Sequence, residues 1–84
     1  MEKIFAVGIH QDWFRPGEPA EITGVRMVTP KGKEPRPCFV VRFKDGTQDE
    51  LSIFQHSGNK DVRNTEFDIV TESDVLAGLI PAVR

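Results

Sequence analysis

The sequence is poor in the residues on which disulfide, metal and acid–base chemistry depend. Cysteine occurs once, at Cys38, so no disulfide can form within the chain, and we expect a reducing, cytoplasmic environment. His10 and His56 are the only histidines, and with Cys38 and Asp12 they occur at no spacing typical of a metal site. A structural zinc site usually shows pairs such as Cys-x-x-Cys. We therefore predict no metal and no cofactor.

Long apolar runs are also missing. The run from Ile4 to Ile9 is short for a signal peptide, and no run approaches the roughly 20 apolar residues that span a bilayer. The 84 residues are enough for one small domain with a modest core. We predict a single domain over residues 1–84 and no membrane partner.

Charge is unevenly distributed along the chain. The formal net charge is −2, but residues 1–44 hold eight Lys/Arg against five Asp/Glu, whereas residues 45–84 hold three against eight. Such asymmetry predicts a basic and an acidic face. The alternative is that the halves interleave in a small barrel and the asymmetry disappears on folding.

The most informative segment runs from residue 38 to residue 54. Apolar residues alternate with others on both sides of Asp45-Gly46, which is a strong hairpin signal. A two-residue loop would oppose apolar to polar positions, so we favour a three-residue loop, 44–46, that pairs Phe43 with Thr47. Gly46 would then take a left-handed conformation in a G1 bulge. This register places five residues on one face: Phe39, Val41, Phe43, Leu51 and Ile53.

Two further strands precede this hairpin. Residues 2–10 predict the first strand, followed by a type II turn at Pro16-Gly17. Residues 19–29 predict the second, with Ile22 on one parity and Val25 and Met27 on the other. The parity change at Thr23-Gly24 indicates a bulge or bend. Residues 31–36, between Pro30 and Pro37, contain no apolar side chain to bury and predict a solvated loop.

The last third of the chain predicts a polar connection, a strand and a helix. Residues 55–65 are polar, and residues 67–70 form a short strand pattern. Thr71-Glu-Ser-Asp74 has the sequence of a capping box, whereas Gly78 and Pro81 indicate that the helix is brief. The pattern as a whole predicts a mostly β fold.

Two runs carry a resemblance to a known superfamily. Phe14-Arg-Pro-Gly17 before a strand, and Val41-Arg-Phe-Lys-Asp-Gly46, resemble the Tudor and KOW branches of the SH3-like barrels, over about residues 12–54. The resemblance implies a small, partly open SH3-like barrel of about five strands with one short C-terminal helix. Tudor domains that bind methylated residues use several aromatics, often tyrosine. This chain has no tyrosine, so it departs from that cage.

Two groups of residues are candidate binding sites. Trp13 and Phe14 form an exposed aromatic pair beside Asp45 or Asp49, or else they cover the open end of the barrel. The basic residues form either a nucleic-acid contact or a solvated loop, and the isoelectric point of about 5.6 favours the loop. These basic residues are Lys31, Lys33 and Arg36, with Arg26, Arg42 and Lys44 as possible additions.

We expect a non-catalytic binding module rather than an enzyme. The chain contains no nucleophile motif, and only the adjacency of His56 and Ser57 suggests a catalytic role. The first hypothesis is a protein partner, or self-association through a sheet edge or the apolar tail 79–83. The alternative is weak nucleic-acid binding through the basic loop of residues 31–36.

Overall fold

The central hairpin has the register that the apolar alternation predicts. In the computed structural model, Phe43 N–H donates to Thr47 O at 2.8 Å, and Phe39 lies opposite Leu51. Gly46 has a φ of +93°, as the G1 bulge requires. The structure describes residues 2–13, 15–29, 31–53 and 67–84. The predicted polar connection over residues 55–65 lies outside the described residues.

Five antiparallel strands form one open sheet, followed by one short helix. Their bounds are β1 Ile4–Gly8, β2 Pro19–Val28, β3 Arg36–Arg42, β4 Gln48–Ser52, β5 Phe67–Thr71 and α1 Glu72–Leu76. The strand order is β4-β3-β2-β1-β5, so that β4 and β5 are the sheet edges among the described residues. The predicted mostly β fold with about five strands and one C-terminal helix is confirmed.

A bulge divides β2 into two parts that have different neighbouring strands. Ile22 lies opposite Val41 and Gly24 opposite Val40, so Thr23 is the extra residue. The bulge moves Val25 onto the face that Ile22 occupied, as the parity change predicts. Before the bulge β2 pairs with β1 and β3, whereas after it β2 pairs with β3 alone among the described strands.

The core lies on one face of the curved sheet. Phe67 and Val41 are fully buried, and Phe39 and Trp13 pack against them from the periphery. The Phe39 ring meets the Phe67 ring nearly edge-on, with 6.2 Å between centroids. Such pairs add to the stability that burial of the rings already provides. The remaining members of the buried cluster are Ala6, Ala20, Phe43 and Leu51.

The C-terminal tail returns to the segment that follows β1. Val7 and Ile9 have the parity opposite to Ala6 and are nevertheless fully buried. Arg84 donates to Ile9 O at 2.8 Å and accepts from Gln11 N–H at 3.2 Å, which fixes the end of the tail beside β1. Leu79 in the same tail remains mostly exposed. The apolar tail is therefore anchored at its end rather than extended away from the sheet.

Helix α1 begins and ends as its sequence predicts. Thr71 accepts from Asp74 N–H, and Asp74 accepts from Thr71 N–H, which completes the capping box. Leu79 N–H donates to Asp74 O, and Gly78 N–H donates to Val75 O in a Schellman arrangement, with Gly78 at a φ of +74°. None of the helices in the described residues has the length and apolar character needed to cross a membrane.

One boundary in the predicted loop is wrong. Arg36 belongs to β3, because the ladder with β2 continues as far as the pair Val28 and Arg36. The predicted solvated loop is therefore confined to the residues between β2 and β3. The first strand is also shorter than predicted, since β1 begins at Ile4 and ends at Gly8.

Candidate functional site: a basic arm at the ends of β2 and β3

The ends of β2 and β3 extend beyond the rest of the sheet as a two-stranded ribbon. The β3–β4 ladder ends at the pair Cys38 and Ser52, whereas the β2–β3 ladder continues to Val28 and Arg36. We call residues 24–29 and 31–37 the arm. The bulge at Thr23 directs the arm away from β1, since β1 pairs with β2 only at residues 19–21.

The arm exposes two large apolar side chains on one face. Val25 and Met27 are each 59% exposed and have the same strand parity. Val25 lies opposite Phe39, which packs on the core, so the apolar surface of the arm continues outward from the core face. Exposed apolar residues that adjoin one another are typical of contact surfaces, whereas single ones are not informative.

Three exposed cations lie at or next to the tip of the arm, and Arg36, opposite Val28, is on the face away from Val25 and Met27. Lys31, Lys33 and Arg36 form no ion pair with any other residue that the structure describes. Arg26, in contrast, lies 3.2 Å from Glu50 Oε2 and is neutralised locally. The arm therefore combines an apolar face with a tip in which three cations accompany a single acid in the sequence, Glu34.

Arg42 and Asp45 lie far from the arm. Arg42 is six residues from Arg36 along β3, which corresponds to about 20 Å in an extended strand. Arg42 Nη2 lies 3.7 Å from Glu21 Oε1, and Lys3 contacts the same carboxylate at 3.8 Å. The fold therefore separates these two candidate residues from the basic loop.

Asp45 is bound within its own turn. Its carboxylate accepts from Arg15 Nη2 and from Thr47 N–H, both at 2.9 Å. The Arg15 guanidinium, followed by the Thr47 amide, holds the pKa of Asp45 well below its usual range. The Asp45 carboxylate therefore stabilises the hairpin turn through these two hydrogen bonds.

Trp13 is half-buried rather than free on the surface. Its ring lies 5.9 Å from the Phe67 ring and covers Gly8 closely. Of the two alternatives for the aromatic pair, this position corresponds to Trp13 covering the end of the core. Phe14 lies outside the described residues.

A groove of about 660 Å³ lies between β1, β2, the 43–46 turn and α1. Phe5, Pro19 and Val75 are among its apolar lining residues. The charges that border it are largely matched, since Glu21 contacts both Lys3 and Arg42. The groove could therefore select a ligand by its shape, but it has little preference for the charge of that ligand.

The described residues contain no cluster suited to metal binding or nucleophilic catalysis. No group of three or more His, Cys, Asp and Glu side chains converges among them. Cys38 is buried, and burial raises the pKa of its thiol, which disfavours the thiolate form that reacts or binds metal. His56 and Ser57, the pair considered for catalysis, lie outside the described residues.

Comparison with protein-family models, with characterised proteins and with solved structures returned no match. The sequence pattern identifies the cations of the arm but not the exposure of Val25 and Met27. The strands predicted over residues 2–10 and 19–29 are of similar length, so the pattern did not indicate that β2 extends past β1, which covers only Ile4–Gly8.

Proposed function

We propose that this chain is a non-catalytic protein-binding module of the SH3-like barrel class, and that the arm is its contact surface. The observation that supports this proposal most directly is the exposure of Val25 and Met27 in an arm that also contains unpaired cations among the described residues. The barrel class is supported by the resemblance of residues 12–54 and by five short antiparallel strands with a glycine-associated bend in the longest. A protein partner would bury the apolar pair, which contributes roughly 25 cal/mol for each Å² removed from water.

Photo-crosslinking tests this proposal. A benzophenone amino acid at position 27 is expected to form a crosslinked species that protease removes and nuclease does not. The matched control places the same group at Gln48, which is also exposed on a strand. Val25→Thr, which keeps the side-chain shape but adds a hydroxyl, is expected to reduce the yield at position 27. Equal yields at positions 27 and 48 would contradict the proposal.

Nucleic-acid binding is the second candidate, because Lys31, Lys33 and Arg36 lack acidic partners among the described residues. Cations that replace condensed counterions on phosphates produce affinity that falls steeply with salt. Fluorescence anisotropy with mixed short DNA and RNA would measure this directly. Binding that weakens with salt and is lost on replacing all three cations by alanine supports this candidate. Absence of binding at low salt removes it.

A further inference from the structure

Both edge strands of the sheet are blocked in part by their own side chains. On β4, the bonds of Phe43 with Thr47 set the ladder so that Glu50 N–H points away from β3. Asp49 Oδ1 accepts this N–H at 2.8 Å. On β5, Thr71 N–H is bound to Asp74 at 3.3 Å. Acidic side chains thus occupy positions that a partner strand would need.

A different edge, on β2 beyond the start of β1, has no neighbouring strand among the described residues. Successive residues of a strand direct their N–H and C=O groups to opposite sides. Because Phe43 bonds to β4, the even residues of β3 bond to β2, and their partners after the bulge are Gly24, Arg26 and Val28.

The intervening residues, Val25 and Met27, therefore direct their backbone groups away from β3. No described strand lies there, since β1 pairs with β2 only at residues 19–21. Val25 and Met27 thus combine exposed apolar side chains with backbone donors and acceptors that no described strand occupies. An edge with both properties is suited to strand addition, in which the backbone supplies affinity and side chains supply specificity.

We propose that an extended acidic segment of a partner protein adds as a strand to β2 at Val25 and Met27. This inference rests on the proposed protein-binding function and names the form and charge of the partner. Apolar side chains of the segment would cover Val25 and Met27, and its carboxylates would face Lys31, Lys33 and Arg36.

The charge of the arm argues against a second copy of this chain as the added strand. Antiparallel pairing of two β2 edges centred on Arg26 would place the two Arg26 side chains opposite each other and the two arm tips at opposite ends, and like charges opposed across strands are destabilising. An acidic segment gains from the same cations, and its on-rate would rise as salt is lowered.

Amide exchange and chemical shifts measured by NMR test the proposal with a defined probe. The probe is an acetylated, amidated peptide of alternating glutamate and valine, and its control replaces every glutamate with lysine. We expect the glutamate peptide to slow exchange of the Val25 and Met27 amides about tenfold or more. The Arg26 and Val28 amides, which already bond to β3, serve as internal references. The lysine peptide should leave the exchange rates of all four amides unchanged.

Three results would overturn strand addition: no change at Val25 and Met27 with the glutamate peptide, protection that grows with protein concentration alone, or equal protection by both peptides. Protection that grows with protein concentration alone would identify a second copy as the occupant. An oligonucleotide that protects the same amides while the peptide does not would assign the arm to nucleic acid.

Met27→Pro separates strand addition from protein binding in general. Proline removes the outward N–H of residue 27 without removing a β2–β3 bond, and it is tolerated at strand edges. We expect Met27→Pro to abolish binding of the glutamate peptide and Met27→Leu to retain it. In the crosslinking experiment on these variants, the benzophenone amino acid is placed at position 25, because position 27 carries the substitution. A crosslinked protein that persists in Met27→Pro would overturn strand addition while the proposed function stands. Absence of any crosslinked protein when Met27 is not replaced by proline would overturn the proposed protein-binding function itself.

Discussion

Arg15 and Asp45 are joined across thirty residues of sequence, with 2.9 Å between Arg15 Nη2 and Asp45 Oδ2. The guanidinium of Arg15 also lies over the Phe43 ring, 4.7 Å from its centroid. One side chain thus connects the loop after β1 to the central hairpin through a carboxylate and an aromatic face. The G1 turn is held at its tip by this contact as well as by its own backbone bonds.

The pairing of Asp45 with Arg15 predicts a pH-dependent contribution to stability. The pKa of Asp45 is lowered in the folded state, so its stabilising contribution is complete above the ordinary value near 3.8 and declines as pH falls below it. Asp45→Asn should be less stable than the parent at neutral pH, and the difference should narrow in acid. Urea unfolding over this pH range measures it. A difference that stays constant with pH would contradict the assignment.

Gly46 provides a test of the turn geometry that excludes side-chain crowding. A Cβ at Gly46 would meet no atom within 4 Å, but the φ of +93° is strained for other residues. Gly46→Val should therefore lower the free energy of unfolding by at least about 1–2 kcal/mol. Gly24→Val is the matched control, because Gly24 has equal space and no positive φ. Thermal unfolding that affects both variants equally would contradict this reason.

The parts of the fold that depend on local chemistry were predictable from the sequence. The Gly46 turn, the bulge at Thr23 and the capping box at Thr71 each follow from a few neighbouring residues. The pairing of Phe39 with Leu51 followed as well, because only one register places the apolar residues on one face.

Features that depend on distant contacts were not predictable in the same way. The return of Arg84 to Ile9 and the contact of Arg15 with Asp45 join residues far apart in sequence. The candidate basic residues were dispersed for the same reason, since Arg42 lies at the opposite end of β3 from Arg36. Composition identifies charges but does not show which strand end carries them or which carboxylate neutralises them.

The capping box of α1 predicts a measurable loss in Thr71→Val. Valine keeps the shape and strand propensity of Thr71 but cannot accept from Asp74 N–H, which lies 3.2 Å from Thr71 Oγ1. We expect the free energy of unfolding to fall by about 1 kcal/mol. Thr29→Val is the control, because Thr29 is exposed beyond the end of β2. A loss of the same size in both variants, measured by urea unfolding, would show that the cap contributes nothing.

Close packing of Trp13 on Gly8 makes the smallest side-chain addition costly there. A Cβ on Gly8 would lie 2.7 Å from Trp13 Cε3, so the indole must move and weaken its contact with Phe67. Gly8→Ala should lower the free energy of unfolding by about 1–3 kcal/mol and shift the emission of the single tryptophan to longer wavelength.

A double-mutant cycle identifies the indole as the cause of this loss. In a Trp13→Phe background the smaller ring leaves room for the Cβ, so Gly8→Ala should cost clearly less than in the parent. Gly24→Ala, which adds a Cβ where no atom lies within 4 Å, controls for the loss of glycine itself. If Gly8→Ala costs the same in both backgrounds, the two residues are not coupled, and the half-buried position of Trp13 needs another explanation.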